Sequence, residues 1–215
     1  STFKFNEFKK ISDNIYFFKS GINLEKFNKF DQNFNIPGTN SKKKIIGFHG
    51  ALRSIIDKQL ISRIASVFSE LQIVLVGPIH DNFEELRKFN NIFFIDEVAH
   101  KDISKYVNKF DVGLIPYYKN NFTDSINPAK LNEYLILGKP VISTNINEVE
   151  EFNKKNNDVI FFSKNHDDFI NKLDDVLKSE NVLSITNERI LIAKKYSWDS
   201  ILYKLFDKLE EIEKI

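Results

Sequence analysis

From residue 44 onward the chain alternates short, continuous apolar runs with stretches of helical periodicity, and few folds accommodate that alternation. The runs are Lys44–Phe48, Gln72–Val76, Ile92–Ile95, Asp111–Ile115, Pro140–Ser143 and Val159–Phe162, bounded by Gly, Pro, Asn or Asp. Apolar runs of this length suit strands covered on both faces. Between them Leu60, Ile64, Val67, Phe68 and Leu71, and later Phe169, Leu173, Val176 and Leu177, recur at the spacing of one helix face. The alternation predicts a doubly wound α/β domain, a parallel sheet of about six strands with helices on both faces and right-handed crossovers. In such a sheet ligands bind beyond the carboxyl ends of the strands.

Composition removes several classes of function. With 215 residues, 42% hydrophobic and 28% charged, the chain has the make-up of a folded domain. Its 31 Lys and Arg nearly balance 30 Asp and Glu, which argues against a dedicated nucleic-acid binder. No apolar run reaches the ~18 residues of a membrane-spanning helix, and no charged-then-apolar leader opens the sequence. The expectation is a cytoplasmic protein. Cysteine is absent, which excludes disulfides, thiolate-held metals and a thiol nucleophile. His49, His80, His100 and His166 lack the close spacing of metal ligands and read as surface or polar-loop residues. No metal is expected.

Two segments lie outside the alternation. Residues 1–43 are basic and hold one strand-like run, Asn14–Lys19, then Gly21 and a loop ending Pro37-Gly-Thr-Asn-Ser41. They read as a solvated linker or edge, a face toward anionic lipid being the lesser reading. At the other end Trp198, Ile201, Leu202, Leu205, Leu209 and Ile212 form the stripe of an amphipathic helix expected to pack back on the body. The expected organisation is a basic segment 1–43, a ligand-binding domain 44–195 and a terminal helix 196–215.

The stretch Asn127-Pro-Ala-Lys-Leu-Asn-Glu-Tyr-Leu-Ile-Leu-Gly-Lys-Pro-Val141 carries the most chemistry. Asn127 can cap a helix whose first helical residue is Pro128, and Gly138 with Pro140 ends it. Following the strand Asp111–Ile115, this helix would aim its free N–H groups at the ligand crevice, an anion site. Lys130 adds a cation in the first turn, against the helix dipole, which an anionic ligand explains better than helix stability does. Glu133 shares its face and can accept two hydrogen bonds from a vicinal diol such as ribose. A Lys–Glu surface pair worth a few tenths of a kcal/mol accounts for these two residues equally well. The second element is Gly47-Phe-His-Gly-Ala-Leu-Arg-Ser-Ile-Ile-Asp-Lys58. Here Gly50 allows close backbone approach, and Arg53 and Lys58 either clamp a diphosphate or remain solvated cations.

Taken in order, GFHGAL…K, IVLVGP, NIFFIDEV, DVGLIPY and NPAKLNEYLILGKPVIST resemble the C-terminal, donor-binding half of GT-B glycosyltransferases. More narrowly they resemble the group 1 family (family 4), including its cell-wall and capsule-type members. NIYFFKSGINLEKF is similar to the family's crossing into that half, so the resemblance spans residues 14–212. It implies a Rossmann-like domain, one half of a GT-B fold, with the acceptor-binding N-terminal domain outside this chain. It implies transfer of a sugar from a nucleoside-diphosphate sugar, UDP or GDP, with retention, for cell-surface polysaccharide or glycolipid synthesis, and peripheral membrane contact in the intact enzyme. By position, Gly50, Arg53 and Lys58 would contact the diphosphate and the backbone at Glu97 and Val98 the base. Asn127, Lys130 and Leu131 would hold phosphates, and Glu133 the ribose. Arg53, Lys58 and Lys130 would stabilise the leaving group electrostatically, without a metal. Two departures stand out. Ser125 occupies the place of the family's sugar-contacting carboxylate, with Asp124 adjacent, and Asp96 replaces a usual glycine. These fit an alternative, a non-catalytic nucleotide-sugar-binding subunit or scaffold that needs a partner.

Overall fold

Six parallel strands form one sheet in the order β3-β2-β1-β4-β5-β6 in the computed structural model, which describes residues 1–27, 33–179 and 183–213. In chain order the elements are α1 (Thr2–Lys9), β1 (Ile45–His49), α2 (Lys58–Val67), β2 (Gln72–Val76), α3 (Glu84–Arg87), β3 (Ile92–Ile95), α4 (Ile103–Asn108) and β4 (Val112–Ile115). There follow α5 (Ala129–Ile136), β5 (Val141–Ser143), α6 (Asn147–Lys154), β6 (Phe161–Phe162), α7 (His166–Lys178), α8 (Leu183–Lys194) and α9 (Trp198–Glu213). The strand order reverses between β1 and β4, where crossovers leave to opposite sides and open a crevice at the carboxyl edge.

All residues of β1, β2 and β4 are buried, as unbroken apolar runs require. β1 pairs with β4 through two positions, Ile46 with Val112 and Gly47 with Gly113. These facing glycines make room for aromatic rings. A Cβ on Gly47 would fall 2.3 Å from the Phe110 ring, and one on Gly113 would fall 2.6 Å from Tyr134. The ring of Tyr134 lies over the centre of the sheet, fully buried. Its hydroxyl accepts from His49 N at 3.3 Å and can donate to Leu114 O at 3.3 Å or Gly47 O at 3.4 Å, joining β1 to β4. Two helices that face the crevice start with side-chain caps. Asp57 accepts from Leu60 N at 2.8 Å at the head of α2, and Asn165 accepts from Asp168 N at 2.9 Å at the head of α7.

Several sequence expectations change in the structure. Asn14–Lys19 forms no strand; Phe17 instead stacks on Phe5 of α1 at 5.6 Å, and α1 had no periodicity to announce it. β6 is only Phe161–Phe162, because Val159 and Ile160 follow a left-handed turn at Asn157 and Asp158. Val67, expected on the buried face of α2, is exposed, and Ile61 and Ala65 take that face with Leu60 and Ile64. The stripe on α9 is buried only at Ile201. The helix is anchored at its start, where Trp198 N donates to Ile22 O and the Trp198 ring covers Gly21. Leu202, Leu209 and Ile212 stay exposed.

Candidate functional site

The crevice is floored by the exit of β1. Gly50, at φ 120°, donates its N–H to Val76 O at 2.8 Å, and Gly77, at φ 137°, sits so close that a Cβ there would be 2.4 Å from Gly50 O. Both positions have the positive φ that favours glycine, and at Gly77 an added Cβ would also strike backbone. The two exit loops therefore run flat against each other. Above Gly50, the position of an added Cβ lies 3.5 Å from Cε of Lys130.

Lys130 is in the first turn of α5. Its ammonium lies 2.5 Å from the Tyr117 hydroxyl, 4.9 Å from the Phe48 ring centre and 5.1 Å from that of Tyr117. Among the described residues no carboxylate pairs with it. Aromatic faces and one hydroxyl hold this half-buried cation without neutralising it. The helix itself also starts open. Asn127 does not cap it; α5 begins at Ala129, and Pro128 takes the cap position at φ −74° and ψ 112° with no side-chain hydrogen bond. The proline is the cause, since it holds Asn127 away from helical backbone and has no N–H of its own. Leu131 N bonds Pro128 O at 3.0 Å, and the first-turn N–H groups of Ala129 and Lys130 gain no side-chain cap.

Glu133, one turn further on, is buried and lies between two imidazoles. Its Oε2 is 3.0 Å from His49 Nε2, and its Oε1 is 3.0 Å from His100 Nε2. Burial pushes the carboxyl up, but the two imidazoles facing its oxygens outweigh it and bring the pKa to about 2. His49 goes the other way from its usual value: burial lowers it, with Glu133 opposing. At neutral pH the group is thus a carboxylate beside a neutral, buried imidazole. The His49 contact is one of proximity, because Nε2 has no aligned hydrogen bond. Sequence reasoning read both histidines as surface or polar-loop residues, which holds for the exposed His100 but not for the buried His49. Residues 49, 100 and 133 meet only because β1, the β3 exit and α5 converge at one edge. Only the position of His49 at the end of an apolar run gave a signal.

Other expected site residues are more dispersed. Arg53 is exposed in the β1 exit loop. Lys58 turns to the next loop, donating to Asn82 O at 2.9 Å with Glu85 at 3.8 Å. Glu97 is exposed and Val98 half-buried in the β3 exit, the segment that leads directly to His100. Leu131 is buried in the core and can offer only backbone. Asp124 and Ser125 form a 3₁₀ turn after β4. Asp124 binds Lys119 Nζ at 2.9 Å and Asn147 N at 3.0 Å, while Ser125 donates to Phe122 O at 2.7 Å. Both line a cavity of about 680 Å³ with Thr2, Asn6, Glu148 and Glu151. Among the described residues no group of three His, Cys, Asp or Glu is placed to hold a metal ion, and no helix is long and apolar enough to cross a membrane.

The doubly wound parallel sheet, with its order reversing at β1 and β4, defines a Rossmann-like class of α/β domain. Within that class the chain belongs to the glycosyl transferases group 1 family, whose pattern matches residues 43–179. It is 25% identical over 165 residues to TuaH of Bacillus subtilis (strain 168), a protein named for a glycosyltransferase role in teichuronic acid biosynthesis. That alignment takes in 75% of this chain and 42% of TuaH. Among solved structures, a glycosyltransferase from Rickettsia africae ESF-5 superposes with a TM-score of 0.77 at 19% identity, over 98% of this chain and 62% of that one. Anabaena Alr3699/HepE, solved with UDP and glucose, gives 0.67 at 15% identity over 90% of this chain and 56% of that one. These likenesses show the fold, that of GT-B glycosyltransferases, and the chain spans between two fifths and two thirds of each relative's length.

Proposed function

We propose that this chain is the donor-binding half of a glycosyltransferase that takes its sugar from a nucleoside-diphosphate sugar. The observation that carries the reading is Lys130: a half-buried ammonium that no carboxylate among the described residues pairs with, at an uncapped helix start, over the switch point of the sheet. In this reading the N–H groups of Ala129 and Lys130, with the Lys130 ammonium, hold the diphosphate, and Glu133 takes the ribose hydroxyls. Arg53, exposed in the β1 exit loop, would add charge, whereas Lys58 supports the loop at Asn82. As the glycosidic bond breaks, negative charge grows on the departing nucleotide, and fixed positive ends of dipoles and ammonium groups stabilise it without a metal. UDP is the favoured nucleotide because HepE is solved with it within the same fold; GDP is the other candidate. The acceptor site, and with it activity, lies on a further domain, and the kinship with TuaH points to cell-surface polysaccharide. Retention of configuration and a membrane-peripheral place for the intact enzyme follow from the same reading.

Calorimetric titration with UDP, GDP, ADP, dTDP and CMP tests it, with Lys130→Ala and Glu133→Ala beside the parent. One diphosphate should bind, and each substitution should weaken it about tenfold to a hundredfold, the worth of a charge-assisted bond. Silence at millimolar concentration, persisting after a relative's N-terminal domain is fused on, would end the enzyme reading. A second reading, a binding subunit without turnover, draws on Asp124, whose carboxylate is engaged by Lys119 beside the non-acidic Ser125. It expects nucleotide binding with no sugar transfer from the fused protein.

A further inference from the structure

The ribose-facing carboxylate of Glu133 is already in use. One oxygen faces the buried ring of His49, while the other meets His100, whose side chain is 57% exposed. These two partners are unequal. His49 belongs to β1, its backbone N–H fixed on Tyr134, with its ring edge-on to that of Tyr134 at 5.2 Å. His100 opens a 3₁₀ turn at the end of the β3 exit loop, and a loose edge contact with Phe27 at 6.4 Å is the ring packing it makes. A diol approaching Glu133 from solvent meets the oxygen on the His100 side.

We propose that His100 is a latch on the nucleotide site, competing with ribose hydroxyls for Oε1 of Glu133 and coupling ribose capture to movement of loop 96–99. The inference rests on the donor-site reading and deepens it. A buried carboxylate gains from two partners. His100 supplies one of them when ribose does not, keeping the acid satisfied and ionised. When the diol arrives it replaces the imidazole, and His100 swings out with the segment of Glu97 and Val98 that borders the base position. Base and ribose are then sensed together, because a nucleotide that fails to engage loop 96–99 must displace the latch without help from that loop. His100 is a positioning residue in this scheme. It acts through Glu133 and touches no reacting atom.

The test is a double-mutant cycle in UDP and GDP binding, using the parent chain, His100→Ala, Glu133→Gln and the double variant. His100→Ala should bind about three- to tenfold tighter, since binding no longer breaks a charged hydrogen bond. The gain should vanish in the Glu133→Gln background. In NMR spectra the His100 ring resonances should move toward those of a free imidazole as nucleotide is added, while those of His49 stay in their buried environment. Weaker or unchanged binding by His100→Ala, in a parent chain that binds, would overturn the latch and leave the donor site standing. Tightening that persists with Glu133→Gln would also overturn it. No binding by any of the four proteins would remove both.

Discussion

Two helices start at the same edge of the sheet, and they start in opposite ways. α7 opens with the Asn165 cap, places Asp167 and Asp168 in its first turn and ties Asp168 to Lys164 N at 2.7 Å and Lys172 at 2.9 Å. Every one of these choices favours a helix N-terminus. α5 has a proline at the cap position, no acid in its first turn and a lysine where the dipole disfavours one. Other helices, α3, α4 and α6, also start without a side-chain cap, but α5 alone among these combines that with a lysine and no acid in its first turn at the switch point of the sheet. α7 is finished internally, whereas on the proposed reading the start of α5 is completed by an anionic ligand.

The largest effect should come from making α5 resemble α7. Lys130→Glu places an acid where the dipole favours it, so the chain should fold at least as stably in urea. Nucleoside-diphosphate binding should fall by more than about a hundredfold, or ~2.7 kcal/mol. If binding survives, the contrast between the two helices carries no function. Next comes Asp57→Ala, which strips α2 of its cap and leaves His166 without the carboxylate 2.6 Å away. About 2 kcal/mol of stability should be lost. Nucleotide affinity should change little, because a finished helix start contributes to folding alone.

The pH dependence distinguishes the two sites further. His49 has a folded pKa below its unfolded value near 6.5, so below that pH the unfolded chain binds a proton the folded chain refuses. Stability should therefore be full above about pH 7 and fall as pH drops toward 5, by up to about 1.4 kcal/mol per pH unit. His49→Gln should flatten that slope in denaturant titrations. Glu133, held near pKa 2, keeps its full contribution above its unfolded pKa of about 4.3 and loses it as pH falls from there toward 2, so a loss between 7 and 5 belongs to the histidine. The smallest effect is Asn165→Ala, about 1 kcal/mol in stability with no change in nucleotide binding.

The sheet was legible because its signal is local. Gln72–Val76 and Ile92–Ile95 are strands to the residue, and each is a closed apolar run between breakers. Lys130 and Glu133 were legible as one face of a helix, since i and i+3 neighbours follow from helix geometry alone. The helix start was misjudged by one residue because Asn127 is a good cap by type, while Pro128 controls the backbone there. His49 and His100 could not be paired from sequence, for their meeting depends on crossovers that bring the ends of β1 and β3 to α5. The α9 stripe was legible as a stripe, but amphipathicity does not say what covers it. Of the stripe residues only Ile201 is buried, Leu205 is half-buried and Leu202, Leu209 and Ile212 stay exposed.

One feature of α5 bears on how fast and how tightly a ligand can settle. The far end of the helix closes at Gly138, whose carbonyl receives the buried Arg189 of α8 at 3.2 Å, and its middle is held by the Tyr134 hydroxyl across β1 and β4. The open end thus projects from a helix anchored at its middle and its far end. Whatever docks on it meets donors already aimed, and the ordering cost of the protein side was met during folding. Capture would then be limited by diffusion and by the short swing of one loop, and not by assembly of the site itself.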